Sequence, residues 1–278
     1  MSIVVAWVRK VNNCEELVFA SDSRLCGGQR WDQCPKMIET AGKSAVIAFA
    51  GDTGYAYPMM VQMNHALSEY SRVITRAMDI SDINGHLINQ ANNLIRSVYD
   101  MADPSNKPDV EFLFGGYSWI EKRFRIWKYI YSDFHNKLTS NPIFKPLFGK
   151  KGTNIIRAIG DQAKKYMNKL KAYIKVKYHF ENDIERFNNI SLDLEPFEVL
   201  CEMLKNSSRN DTIGGAPQII KVHQYMRSSP LGVYWPEKTD DFSNRTLFGR
   251  EMFDYEDTDF WFLDPATLNI NLCRKKQK

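Results

Sequence analysis

The chain has 278 residues, 44% hydrophobic and 25% charged, with a net charge of +4 and an isoelectric point of about 8.6. That length carries one large domain or two small ones around a sizeable core, and so mild a basicity does not by itself call for nucleic acid. No run approaches the roughly 18 apolar residues of a membrane helix. The first apolar run, Ile3 to Val8, stops at Arg9 and Lys10 and reads as a strand rather than a secretory signal.

In chain order, Ile3 to Val8 and Leu17 to Ala20 are apolar strands, with a polar turn from Lys10 to Glu16 between them. Ser44 to Ala50 is a third strand, ending at Gly51. Helical spacing follows over 53–78 (Tyr57, Met60, Val61, His65, Leu67) and over 82–102 (Ile83, Leu87, Ala91, Leu94, Ile95, Val98), until Pro104 and Pro108 intervene. Strands are expected at 110–117 and 123–130. A Pro- and Gly-punctuated insertion over 131–154 comes next, then a strand at 155–159. Helices at 161–175 and 195–205 and strands at 212–222 and 231–235 complete the order. Two helix pairs separated by sheet segments suit an α+β fold, a four-layer α-β-β-α sandwich, rather than a doubly wound parallel sheet. Residues 1–222 read as the core and 223–278 as a C-terminal extension packed on it.

The five cysteines (Cys14, Cys26, Cys34, Cys201, Cys273) are odd in number and form no CxxC pair, so free thiols in a reducing cytoplasm are expected. The five histidines are scattered, with no HExxH spacing; no GxSxG elbow, P-loop or GxGxxG occurs. No metal or other cofactor is therefore expected.

Ser2 stands at the head of the first strand. Removal of the initiator Met beside so small a residue would leave a hydroxyl and a free α-amine on one residue. That amine, with an ordinary pKa of about 7.7–8.0, is a base positioned for its own nucleophile. Taken alone, a Ser at this position reads first as the cap of a strand.

Several stretches together change that reading. They are Ser2-Ile3-Val4-Val5-Ala6, Val18-Phe19-Ala20-Ser21-Asp22-Ser23-Arg24, Pro35-Lys36-Met37-Ile38, Ala48-Phe49-Ala50-Gly51-Asp52-Thr53-Gly54, Phe112-Leu113-Phe114-Gly115-Gly116-Tyr117, Ala158-Ile159-Gly160-Asp161 and Asp211-Thr212-Ile213-Gly214-Gly215. In this order they resemble the proteasome β-type peptidases and their bacterial homologues, members of the N-terminal nucleophile (Ntn) hydrolases.

The resemblance implies a peptidase or amidase acting through an acyl-enzyme. Ser2 is then the nucleophile, Lys36 the cation beside it, Asp22 the partner of Lys36 and Gly51 the oxyanion donor, with Asp161 and Asp211 near the amine. It departs from the family in five places. Ser stands for Thr at the nucleophile, and the turn at 10–16 is longer than usual. Asp161 stands where the family has a Ser, Asp211 lies one residue close to the Gly-Gly pair so that Asn210 competes as its counterpart, and Gly214 replaces a Ser. The resemblance also implies a peptide or protein substrate and a homo-oligomer, as a ring or helical stack, with an unfoldase or other partner left open. Its pocket would be lined by Leu25, Cys34, Ile38, Phe49 and Thr53, with Phe49 filling much of it and favouring small apolar side chains.

Two other readings stand beside this one. A non-catalytic ring or scaffold subunit would keep the fold without turnover. The basic stretch from Lys145 to Lys177, interleaved with Tyr166 and Tyr173, reads either as a solvated face or as a patch for nucleic acid or an acidic partner. No membrane partner is expected.

Overall fold

The structure, a computed structural model, describes residues 2–98, 108–143, 155–179, 190–239, 244–253, 255–256 and 259–273. It is a mixed α/β protein whose strands pair antiparallel with one exception. The chain opens with a hairpin of β1 (Val4–Val11) and β2 (Cys14–Ser21), paired from Val4↔Ser21 to Val11↔Cys14. The connection is Asn12 and Asn13 alone, with Asn12 at φ 54°, a left-handed conformation in which Asn is enriched. The turn expected over 10–16 is therefore mostly strand. Lys10 and Glu15 face each other across it as an ion pair at 3.5 Å instead of looping out.

A small ribbon, β3 (Leu25–Gly27) with β4 (Gln29–Trp31), precedes β5 (Met37–Glu39) and β6 (Ala45–Gly51). The single helix expected over 53–78 is instead α1 (Thr53–Ser68), a break at Glu69 and Tyr70, and the one-turn α2 (Ser71–Ile74). The next helix, α3 (Ile80–Arg96), begins where Asp79 Oδ2 accepts from Ser81 N at 3.0 Å, an N-cap that sets its start. Its expected continuation to residue 102 lies partly outside the described residues.

Strands β7 (Val110–Ser118), β8 (Arg123–Ser132) and β9 (Lys137–Pro142) complete a five-stranded sheet ordered β5-β6-β7-β8-β9. The first part of the expected insertion is thus β9. It is held to α3 by Asn92, whose side chain accepts from Leu138 N at 2.7 Å and donates to Leu138 O at 3.0 Å. Residues 144–154 lie outside the described residues.

The chain continues with β10 (Ile156–Ile159), α4 (Ala163–Lys177), α5 (Glu195–Lys205), β11 (Gln218–His223) and β12 (Arg227–Tyr234). Residues 212–217, expected as strand, are loop. The tail adds β13 (Arg245–Leu247), β14 (Arg250–Glu251), β15 (Phe260–Leu263) and β16 (Ile270–Cys273). The nine-stranded sheet runs β10-β1-β2-β11-β12-β13-β14, with β15 on β12 and β16 on β15. Only β12 and β15 pair in parallel among the described strands.

Strand alternation sorts the apolar side chains into three main clusters. Val4, Ala6, Leu17 and Phe19 of the larger sheet pack with Val46, Ala48, Ala50 and Leu113 of the smaller. Val5, Trp7, Val18 and Ala20 point the other way, against Tyr166 and Leu170 of α4 and Phe197 and Leu200 of α5. Ile47, Phe49, Phe112 and Phe114 pack against Met59 and Met63 of α1 and Ile83 and Leu87 of α3. Each fully buried side chain of this kind contributes about 1.5–3 kcal/mol. Among the described residues no helix is long and apolar enough to cross a membrane. All five cysteines are free thiols.

Candidate active site

Ser2 extends the face of β1 that carries Val4 and Ala6 and so points toward the smaller sheet. It is 1% exposed, and its Oγ has no hydrogen-bond partner among the described residues. Ser21, opposite Val4 at the end of β2, presents a second buried hydroxyl with no partner among them.

Asp22 directly follows β2 and Lys36 precedes β5. Their side chains are almost wholly buried, and Lys36 Nζ lies 2.7 Å from Asp22 Oδ1. Ile3 N donates to the same oxygen at 3.1 Å, while Arg24 N and Gly214 N each donate to Oδ2 at 3.2 Å. The peptide that joins Ser2 to Ile3 and the Lys36 ammonium therefore share one carboxylate oxygen. Burial pushes the Asp22 carboxyl up, and the Lys36 ammonium and the Ile3 and Gly214 N–H groups oppose it. Four donors on its two oxygens, Lys36 Nζ, Ile3 N, Arg24 N and Gly214 N, favour the carboxylate against burial. Gln218 fixes the surrounding backbone. Its Oε1 accepts from Lys36 N at 3.2 Å, and its Nε2 donates to Asp22 O at 3.2 Å and Cys34 O at 2.8 Å.

Gly51 ends β6 at φ 113°, where a Cβ would lie 2.1 Å from Asp109 O. Only glycine fits such a corner. Phe49 N donates to Lys36 O at 3.0 Å. By strand alternation Gly51 N faces the same edge, past Lys36.

On the other side of Ser2, β10 ends at Gly160, φ 97°, where a Cβ would lie 2.0 Å from Ser2 O. Gly160 N donates to Glu111 Oε2 of β7 at 3.0 Å, and Glu111 pairs with Lys128. Asp161 comes next. Its Oδ1 accepts from Ser2 N at 2.7 Å; its Oδ2 accepts from Thr212 Oγ1 at 2.5 Å and Gln162 Nε2 at 3.2 Å. In the chain that retains Met1 this nitrogen is a peptide N–H.

Asp161 is thus bonded to Ser2 N and Lys36 to Asp22, with Ile3 N tying Asp22 to the backbone next to Ser2, and Gly51 lies on the edge beside Lys36. Asp211 is not brought in. Its exposed carboxylate accepts from Ser208 N at 2.6 Å and closes its own turn, and Asn210 Oδ1 accepts from Arg30. The loop contributes Thr212 and the Gly214 N–H instead. It is held by Arg24, whose Nη1 donates to the carbonyls of Ser208, Asp211 and Ile213 at 2.7–3.1 Å while Asp32 takes Nε and Nη2. Thr212 and Gly214 lie in a stretch the sequence had already marked. Glu111 and Gln218 carry no such mark, since a polar residue in an apolar strand reads as a solvent-facing one.

A cavity of about 460 Å³ lies beside this cluster, lined by Leu25, Trp31, Cys34, Pro35, Thr53 and Tyr57 among others. Leu25, Cys34 and Thr53 were expected in it. Ile38 instead lines a separate cavity on the β5 edge. Phe49 is 1% exposed, with Tyr57 packed edge-on at 5.2 Å, so it sits behind the wall and does not fill the space. Burial pushes the Cys34 thiol up, which leaves it a poor competitor as nucleophile.

The basic helix α4 faces the acids of α5. Lys177 pairs with Glu195 and Glu198, Lys169 with Glu202, and Tyr173 OH donates to Glu198. Among the described residues no group of three or more His, Cys, Asp and Glu side chains converges as a metal site would. No protein-family model matches the chain, and comparison with curated proteins gives no significant match.

Proposed function

We propose that the protein is a proteasome-like N-terminal nucleophile peptidase or amidase that acts through Ser2 once Met1 is removed. The observation that carries this reading is the buried, unpartnered Ser2 hydroxyl beside a dry Lys36–Asp22 pair, with the Ser2 nitrogen gripped by Asp161. The three apolar clusters support reading the fold as the four-layer α-β-β-α sandwich of Ntn hydrolases. Leaving a buried hydroxyl without a partner is energetically unfavourable, and at Ser2 that open hydroxyl stands at the head of β1 next to the Asp22–Lys36 pair.

The chemistry follows from the geometry. Ser2 Oγ attacks the substrate carbonyl carbon, and its proton passes to the neutral α-amine. Negative charge gathers on the carbonyl oxygen, where the Gly51 N–H donates to it. The amide C–N bond breaks, the amine hands its proton to the leaving nitrogen, and an ester joins Ser2 to the acyl part. Water then hydrolyses that ester, with the amine again as base. The Lys36 ammonium favours the ionised hydroxyl, and Asp22 keeps that ammonium in place.

The cavity has no acidic residue in its lining and suits an apolar side chain, including a bulky one, rather than a basic one. Cytoplasmic location and assembly into a homo-oligomer belong to the same proposal; only monomer in light scattering at micromolar concentration would count against assembly. The test of activity is hydrolysis of a fluorogenic peptide library by the chain beginning at Ser2. Activity is lost in Ser2→Ala and kept in Ser2→Thr. An unchanged rate in Ser2→Ala would remove Ser2 from the mechanism.

A further inference from the structure

Around Ser2 N, the charged groups are not balanced alike. Asp22, directly after β2, is neutralised by Lys36 ahead of β5. Glu111 on β7 is neutralised by Lys128 on β8. Arg24, which holds the 208–214 loop, is engaged by Asp32, and Asp211 of that loop is exposed and turned onto Ser208. Lys164 and Lys165 of α4 are exposed, and among the described residues neither pairs with Asp161. Asp161 is therefore the carboxylate that reaches the Ser2 nitrogen, at 2.7 Å, without a cation of its own among the described residues. Its second oxygen is occupied by Thr212 Oγ1 and Gln162 Nε2, and the backbone before it is pinned by Glu111 through Gly160 N. The carboxylate is thus oriented with one oxygen committed to Ser2 N.

We propose that Asp161, oriented by Thr212, holds the freed Ser2 amine in its ammonium form to a higher pH than an ordinary α-amine, and so sets the pH at which the nucleophile becomes active. This rests on the reading of Ser2 as the nucleophile. The attacking hydroxyl needs the neutral amine, and an adjacent carboxylate favours the charged one. The clamp therefore trades activity near neutrality for a fixed amine position. Peptide hydrolysis rises on the alkaline side as the ammonium loses its proton. Thr212 acts through Asp161 and is a positioning residue. Its hydroxyl donates to Oδ2, and without it the carboxylate is free to swing toward solvent. Because Asp161 is exposed, solvent screening keeps the expected shift near one unit, the low end of what an adjacent charge produces.

The test uses the full chain released from a cleavable N-terminal fusion, so that it begins at Ser2 whether or not Met1 is removed in the cell. The α-amine is titrated from the NMR shift of ¹³C-labelled Ser2, and kcat/KM for an apolar peptide substrate is measured over the same pH range. Asp161→Asn lowers the amine pKa by about one unit and moves the acidic limb of kcat/KM down with it. Thr212→Val moves both part of the way, and Thr212→Ser restores the wild-type values, which separates orientation by the hydroxyl from mere packing. A falling amine pKa in variants that hydrolyse nothing, wild type included, upholds the clamp and sinks the peptidase reading. An amine pKa unmoved by both Asp161→Asn and Thr212→Val overturns the clamp, whatever the activity.

Discussion

Strands β1, β2 and β11 carry a buried charge cluster near each end, and the two differ in which polar atoms they leave open. At the end away from Ser2, Arg9 lies opposite Glu16 and Glu16 opposite His223 in the strand register. The Glu16 carboxylate lies 3.6 Å from Arg9, 3.5 Å from Lys221 and 3.3 Å from His223. Burial works against its charge, yet the His223 hydrogen bond and the Lys221 and Arg9 cations outweigh burial and bring its pKa down to about 2. One anion there is flanked by three nitrogen-bearing side chains, although Glu16 Oε2 and Arg9 Nε and Nη1 are buried without a hydrogen-bond partner among the described residues. At the cleft end one buried pair, Asp22 and Lys36, stands beside two hydroxyls, of Ser2 and Ser21, that nothing among the described residues satisfies. Both ends leave buried polar atoms open, so the contrast lies in which atoms these are: guanidinium and carboxylate atoms inside an ion cluster at one end, and neutral hydroxyls beside a fixed ammonium at the cleft.

The comparison is broken or sharpened most by Lys36. Lys36→Met leaves the Asp22 carboxylate buried without its cation, a loss of about 3–5 kcal/mol in urea unfolding, and abolishes peptide hydrolysis. The double variant Asp22→Asn with Lys36→Met recovers most of the stability and none of the turnover. Recovery of turnover would reduce the pair to a structural one.

At the other end, Glu16→Gln leaves the cations without their anion and costs about 1–3 kcal/mol, with kcat/KM unchanged. The pH dependence has a definite sign. The Glu16 pKa is depressed on folding, so the unfolded chain takes up the proton first. Its stabilisation is complete above the ordinary glutamate range and fades as pH falls toward about 2. Acid unfolding of Glu16→Gln lacks that component, and an unchanged acid profile would show that Glu16 carries no such linkage.

Much of this was legible in the sequence, for identifiable reasons. Helix 195–205 was read at its observed bounds because its apolar face is continuous and Pro196 marks its start. Ala45–Gly51 was readable as an apolar run ending in glycine. Strands whose outward residues are charged were shortened. Lys10, Glu15 and Glu16 read as turn, and Arg9 as the stop of the first apolar run, until their cross-strand pairing is seen. The tail strands β13–β16 are two to four residues long, too short for periodicity to register, and they are defined by long-range pairing. At the site, Ser2, Asp22, Lys36, Gly51 and Asp161 were readable from their ordered landmarks. Asp211 was misplaced by one residue of loop geometry, because Thr212 turns toward Asp161 while the Asp211 carboxylate turns back on Ser208.

The smallest stability effect belongs to the residue with the largest functional one. Ser2→Ala removes a buried hydroxyl that has no partner, so its unfolding free energy lies within about 1 kcal/mol of wild type, where Glu16→Gln shows the reverse pattern. A large loss of stability in Ser2→Ala would mean that the hydroxyl has a structural partner after all.

The central claim is that Ser2, freed of Met1, is the nucleophile. Its most direct measurement is the mass of the protein after incubation with a peptide β-lactone, an electrophile that acylates an activated hydroxyl, followed by sequencing of the N-terminal peptide by tandem mass spectrometry. The predicted result is a chain that begins at Ser2 and carries one acyl group on it, with no adduct in Ser2→Ala or Lys36→Met. A chain that retains Met1, or an adduct on another residue that persists in Ser2→Ala, would contradict the claim.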